Sequence, residues 1–275
     1  MATDVTSIDA GPTQATQATP EPPQRAPRAA QPHRIRFLFI YGSLFAVLAA
    51  AIAGVVVYAG RSINPAPTWS AWKPGGGGLG AAKQIADHIA KSYRLPNGNQ
   101  LVDVIAKPPS VSAPSLGTLA LAYVAVQTKG NSNPPPVPIS SSNSVMYSLC
   151  GLGTSCAISS GKPSIARGTL VRREILELAL YTFKYVGGVD HVLAFMPPAP
   201  GVTKQRLVYL KRSDVADQLR APIAHTLNSK VPLPATIPAR EVHAIDAITE
   251  TRVYSVSLAQ TQNGDAVLVL SPLQA

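Results

Sequence analysis

The stretch Thr169–Val186, TLVRREILELALYTFKYV, carries the clearest periodic signal in the chain. Val171, Ile175, Leu178, Ala179, Phe183 and Val186 recur at helical spacing, and Leu176 and Leu180 widen the apolar face. Thr169 is placed to cap the first turn, and Gly187-Gly188 to end the helix. A face this broad needs packing on more than one side, so the helix is expected at the centre of the core. Arg173 and Glu177 lie four residues apart and are expected to pair on its polar face, where an exposed pair contributes under about 1 kcal/mol.

On both sides of this helix the sequence reads mostly as strands. After it come strand-like runs at His191–Met196 and Arg206–Leu210, then a short helix from Ser213 or Asp214 that Pro222 interrupts. Thr251–Thr261 and Asp265–Ser271 flank Asn263-Gly264, which predicts a hairpin closed by a type I′ turn. Before the helix, Ala81 to about Arg94 reads as helical with Ile85 and Ile89 on one face, and Leu101–Ala106 and Leu116–Thr128 read as strands. Gly130–Ser144 (GNSNPPPVPISSSNS) is polar and Pro-rich and is expected as an exposed loop. Strands mixed with two or three helices, without strict strand–helix–strand alternation, predict an α+β fold: one domain over 81–275, mostly antiparallel, around the central helix at 169–186.

Upstream lies a segment of another kind. Phe37–Gly60 (FLFIYGSLFAVLAAAIAGVVVYAG) has 24 residues and no charge. At about 1.5 Å per residue it reaches roughly 36 Å, enough to span a bilayer core of about 30 Å as a single transmembrane helix. Arg25, Arg28, Arg34 and Arg36 precede it and only Arg61 and Lys73 follow closely, which predicts a cytoplasmic N-terminus and an extracytoplasmic domain in the cell membrane. Ala51-Ile52-Ala53 has the small-residue form of a signal-peptide cleavage site, yet the apolar run continues to Tyr58, and signal h-regions span only about 7–15 residues. That favours a retained signal anchor. Residues 1–36 carry six Pro and repeat Gln-Ala-Thr at 14–16 and 17–19, reading as a disordered cytoplasmic tail. Residues 61–80 read as a juxtamembrane linker, with Trp69 and Trp72 at the outer membrane interface and Gly75–Gly78 supplying flexibility.

Composition agrees with this division. The 275 residues are 46% apolar and only 14% charged, against about 25% in ordinary soluble domains. Two Cys, 26 Pro without a collagen period and one apolar run exclude a disulfide-dense mini-protein, a collagen and a polytopic transporter. Of the formal charge of +10, +9 lies beyond residue 36.

Chemistry-bearing motifs are sparse. Cys150 and Cys156 would face an oxidising space and are expected to form a disulfide, with Gly151 and Gly153 letting the short loop close; a zinc site would need further ligands nearby. Gly75, Gly77 and Gly80 match G-x-G-x-x-G without the preceding strand that a dinucleotide site requires. Gly161-Lys162 has the form of a P-loop ending, but Cys156 and Pro163 occupy the other required positions. Neither supports a nucleotide. His88, His191, His225 and His243 show no metal-ligand spacing, so no metal and no cofactor is implied.

Lys204, Arg206, Lys211 and Arg212 fall on one predicted strand with no acid between them and form a candidate anion-binding patch, for lipid headgroups or anionic wall polymers. Nucleic acid is disfavoured because aromatic residues are not interleaved with the basic ones. The expectation is therefore a non-catalytic, single-pass envelope protein whose exoplasmic domain binds a protein partner, anionic lipid or wall polymer. Its architecture of short inside tail, one span and small outside domain resembles bitopic assembly factors of bacterial secretion, conjugation and division machines. The alternative is a membrane-tethered hydrolase acting on envelope material, with His191 and His243 as candidates. An Ala/Pro/Arg/Val-rich style without N-x-S/T sequons outside the membrane suggests a bacterial source.

Overall fold

The computed structural model describes residues 33–60, 68–113, 117–128, 130–131, 133–198 and 205–273. The expected tail at 1–36 lies almost wholly outside them. The chain divides into two units, Met1–Asn64 and Pro65–Ala275.

The first unit contains α1 (His33–Gly60), which starts immediately after Pro32. Its stretch Arg36–Val56 is long and apolar enough to cross a membrane, and none of it is buried within the protein. A membrane anchor and a signal sequence both meet that description.

The second unit is a sheet-rich domain with helices. Its helices are α2 (Gly78–Ala90), α3 (Ile165–Tyr185), α4 (Ala216–Arg220) and α5 (Ala239–Thr249). Its strands are β1 (Asp103–Lys107), β2 (Ser110–Ala113), β3 (Gly117–Val126), β4 (Val137–Pro138), β5 (Ser144–Cys150), β6 (His191–Phe195), β7 (Arg206–Lys211), β8 (Val253–Gln260) and β9 (Ala266–Pro272). They form one mixed sheet in the order β1-β5-β6-β7-β8-β9-β3-β2, with β4 beside β3. Six pairings are antiparallel; β5 with β6 and β3 with β9 are parallel.

The sheet curls nearly into a barrel and so has two cores. On the outer face Val145, Tyr147 and Leu149 of β5, with Val192 and Ala194 of β6, pack beneath Ile85 and Ile89 of α2, Ile175 and Leu178 of α3 and Ile245 of α5. On the concave face Met146, Leu193, Leu207, Tyr209, Leu268 and Leu270 form a second cluster. With both faces covered, β5 reads as a nearly continuous buried run rather than an alternating one, and the sequence reading placed no strand there.

Helix α3 joins β5 to the parallel β6, the one strand–helix–strand crossover in the neighbourhood of the core. It starts earlier than expected. Ser164, not Thr169, caps it by accepting from the Arg167 N–H at 3.3 Å, and Thr169 lies buried within the helix. The hairpin at Asn263-Gly264 is present, but its turn is wider than type I′. Only Gly264 has a positive φ (+85°) there; Gly264 N–H donates to Thr261 O and Thr261 N–H to Asp265 O. Helix α5, which no sequence signal had announced, packs Ile245 and Ile248 against the core.

Candidate functional site

One surface feature of the domain is an open pocket of about 580 Å³ lined by Trp69, Ser70, Trp72, Lys73, Lys184, Tyr185 and Arg220, with Thr68, Ala71 and Pro222 completing it. Three elements meet there: the entry segment before α2, the last turn of α3 and the end of α4.

Packing fixes the entry segment. Trp69 is buried, its indole N–H donates to Gln218 O at 3.2 Å, and its ring meets Tyr181 and Tyr185 edge-on at 5.3 and 5.6 Å. Its carbonyl accepts from Ile223 N–H at 2.9 Å. Trp72 lies parallel to the His88 ring of α2 at 3.9 Å and tilts against Tyr181. Ser70 Oγ hydrogen-bonds the Tyr185 hydroxyl and donates to Trp72 O at 2.6 Å, while Gly75 exchanges two hydrogen bonds with the Gln84 amide. Edge-on aromatic contacts and satisfied indole and hydroxyl groups make this a rigid floor.

The rim is cationic. Lys184 Nζ donates to Leu219 O at 3.0 Å and stands over the Trp69 ring at 5.6 Å. Arg220 pairs with Asp217 at 2.9 Å, both side chains being largely exposed. Lys73 makes no ion pair among the described residues. Burial lowers the pKa of His88, opposed by the nearby Glu177 carboxylate and helped by Lys91.

These placements add structure to the expected linker. The rings of Trp69 and Trp72 pack into the domain, where they complete the aromatic cluster at the end of α3. From Thr68 onward the expected linker is part of the fold, Gly77 immediately precedes α2, and any flexible portion falls in 61–67, outside the described residues.

Cys150 and Cys156 form the expected disulfide. The two glycines serve close approach: a Cβ at Gly151 would stand 2.2 Å from Ala157 O, and one at Gly153 2.8 Å from the same atom. The positive φ values fall instead on Ser155 and Cys156.

Of the expected basic patch, Lys204 lies outside the described residues. Arg206 and Lys211 sit at opposite ends of β7 and, five residues apart, on opposite faces of the sheet. Arg212 is half-buried: its guanidinium donates to Phe183 O and Val189 O, pairs with Asp190 at 3.3 Å and stands over the Phe183 ring. It closes the end of α3 and is engaged in structure.

The four histidines of the domain lie on four separate elements. His191 Nδ1 is 2.8 Å from the Tyr209 hydroxyl, and the two rings stack. Its pKa is lowered by burial, against Asp190, while Tyr209 is pushed up by burial and Asp214. Ser144, in register with His191, donates its hydroxyl to Asn143 Oδ1 at 2.6 Å, not to the imidazole. His225 and His243 are exposed. Among the described residues no three His, Cys, Asp or Glu are grouped to hold a metal ion.

A second polar constellation was misread from sequence. Arg173 and Glu177 do pair, at 2.9 Å, but Arg173 is completely buried. It donates Nε–H to Glu241 Oε1 at 2.7 Å and an NH2 hydrogen to Asn228 O at 2.7 Å, and its NH1 contacts the Tyr93 hydroxyl. Tyr93 donates to Glu177 Oε2, and Asn228 returns two hydrogen bonds to Glu241. This network ties α5 and the irregular segment before it to α3.

No family model matches the chain, and no curated protein and no solved structure matches it either.

Proposed function

We propose that the protein is a single-pass, membrane-anchored envelope protein, N-terminus in the cytoplasm, whose exoplasmic domain is a non-catalytic binding or assembly module. The observation that carries this reading is α1: Arg36–Val56 is uncharged and mostly apolar after its first residue, and none of it is buried. A water-soluble protein that left twenty such residues exposed would aggregate. The disulfide at Cys150–Cys156 suits an oxidising compartment. Binding is supported by the lining of the pocket at Trp69, which combines cations and aromatic rings with a serine whose hydroxyl is engaged by Tyr185 and Trp72 O.

The test is alkaline carbonate extraction of membranes from cells expressing the full chain, with protease shaving from the outside and N-terminal sequencing of the retained protein. The expected result is retention in the membrane pellet, an intact N-terminus and loss of the domain on shaving. Release into the supernatant with a new N-terminus just after Ala53 would show a cleaved signal sequence and overturn the anchor.

A further inference from the structure

We propose that the Trp69/Trp72/Tyr185 pocket binds the phosphodiester headgroup of an anionic phospholipid, the phosphate held by Lys73, Lys184 and Arg220 and the glycerol carbons covered by the aromatic rings. The inference rests on the membrane-anchored reading above and names the ligand of that module.

Charge is the first argument. Three of the ten lining residues are cations and none is an acid. The nearest counter-charge, Asp217, is an exposed partner of Arg220, and Lys184 commits one of its three N–H donors to a neutral carbonyl. Three cations lining one pocket with no acid among its lining residues suit a phosphate, which accepts from several donors at once.

The floor is the second argument. Trp69, Trp72 and Tyr185 are held by their own hydrogen bonds and ring contacts before any ligand arrives, so little side-chain entropy is lost on binding. Indole and phenol rings combine apolar faces with polar edges, the character that concentrates them at headgroup depth. The volume of about 580 Å³ lies inside the range that small-ligand pockets occupy.

Position in the sequence selects lipid over a soluble phosphate. Only residues 61–67 separate Gly60, the end of α1, from Thr68, the first lining residue, an extended reach of about 28 Å. In an anchored chain that leash holds the pocket's local concentration of headgroups far above that of any dissolved anion.

The chain's two Trp both line the pocket, so intrinsic fluorescence reports on it directly. Full-length protein in a neutral detergent is titrated with short-chain phosphatidylglycerol, with short-chain phosphatidylcholine and with inorganic phosphate. A saturable spectral shift with phosphatidylglycerol alone is expected. The Lys73→Ala/Arg220→Ala variant should bind it about tenfold or more weakly, since each cation near an anionic headgroup contributes about 1 kcal/mol. An Arg206→Ala/Lys211→Ala variant, which loses the same charge elsewhere, should bind as the parent does. Equal weakening in both variants, an equal response to phosphatidylcholine, or a full response to inorganic phosphate would overturn the proposal. Because the titration is done in micelles, its result stands apart from whether carbonate releases the chain.

Discussion

Helices α1 and α3 reverse the ordinary distribution of polarity in opposite directions. Across Arg36–Val56 of α1 every residue is exposed, including Leu38, Phe39 and Phe45 at about three-quarters of their surface. In α3, Arg173 and Glu174 are completely buried. A soluble fold cannot leave the first uncovered, and a lone helix could not hold the second. The comparison teaches that burial in this chain is decided by partners: none of Arg36–Val56 in α1 is buried, whereas α3 is enclosed by α2, α5 and the sheet.

The largest expected effect follows from removing the partner on which α3 depends most. Arg173→Met leaves Glu241, Glu177 and Tyr93 facing one another in the interior without their cation. Breaking a buried pair from one side costs about 3–5 kcal/mol. Urea unfolding of the full chain in neutral detergent should show the midpoint of the domain falling accordingly. An unchanged midpoint would mean that the network is neutral in effect and that apolar packing alone seats α5.

The reverse substitution, a charge placed where α1 is apolar, should have a somewhat smaller effect. Ala46→Arg puts a cation at the middle of Arg36–Val56, where insertion scales assign about 2.5–3.5 kcal/mol. The expected outcome is a soluble fraction after carbonate extraction that the parent chain does not give. If Ala46→Arg is retained as fully as the parent, α1 is not held by a bilayer core.

What was legible in the sequence follows from the same contrast. The α1 run, the α3 periodicity, the disulfide and the mostly antiparallel sheet could be read because each is a local pattern: an uninterrupted apolar stretch, a 3.6-residue repeat, a Cys pair flanked by Gly, a Gly where the chain turns. Residues whose meaning depends on distant partners could not. Arg173 reads as a surface residue until Glu241, 68 positions away, and Asn228 are brought to it. The packing of Trp69 against Tyr181 and Tyr185, more than a hundred positions away, has no signal in the sequence around it. Arg212 reads as part of a basic patch until the carbonyls at the end of α3 take up its donors. The pocket was half visible: its Trp pair was singled out, but Lys184 and Arg220 come from α3 and α4 and no spacing links them to Trp69.

The smallest expected effect concerns Glu174, the buried acid of α3 that the Arg173 network does not reach. Neither of its carboxylate oxygens has a hydrogen-bond partner. Burial pushes its pKa well above the ordinary 4.5, Glu177 adds to the rise, and Arg173 opposes it. The folded chain therefore holds Glu174 protonated where the unfolded chain releases the proton. Below about pH 4.5 both states are protonated and the group has no effect on stability. As pH rises past that value only the unfolded state loses the proton, so the folded state is progressively disfavoured until its own raised pKa is reached. Glu174→Gln keeps the shape and removes the ionisation. It should match the parent near pH 4 and exceed its stability at pH 7, because only the parent must hold a proton in the fold that the unfolded chain releases. Urea midpoints at the two pH values give the answer. If the variant and the parent differ equally at both, Glu174 ionises alike in the folded and unfolded chain, and its burial does not raise its pKa.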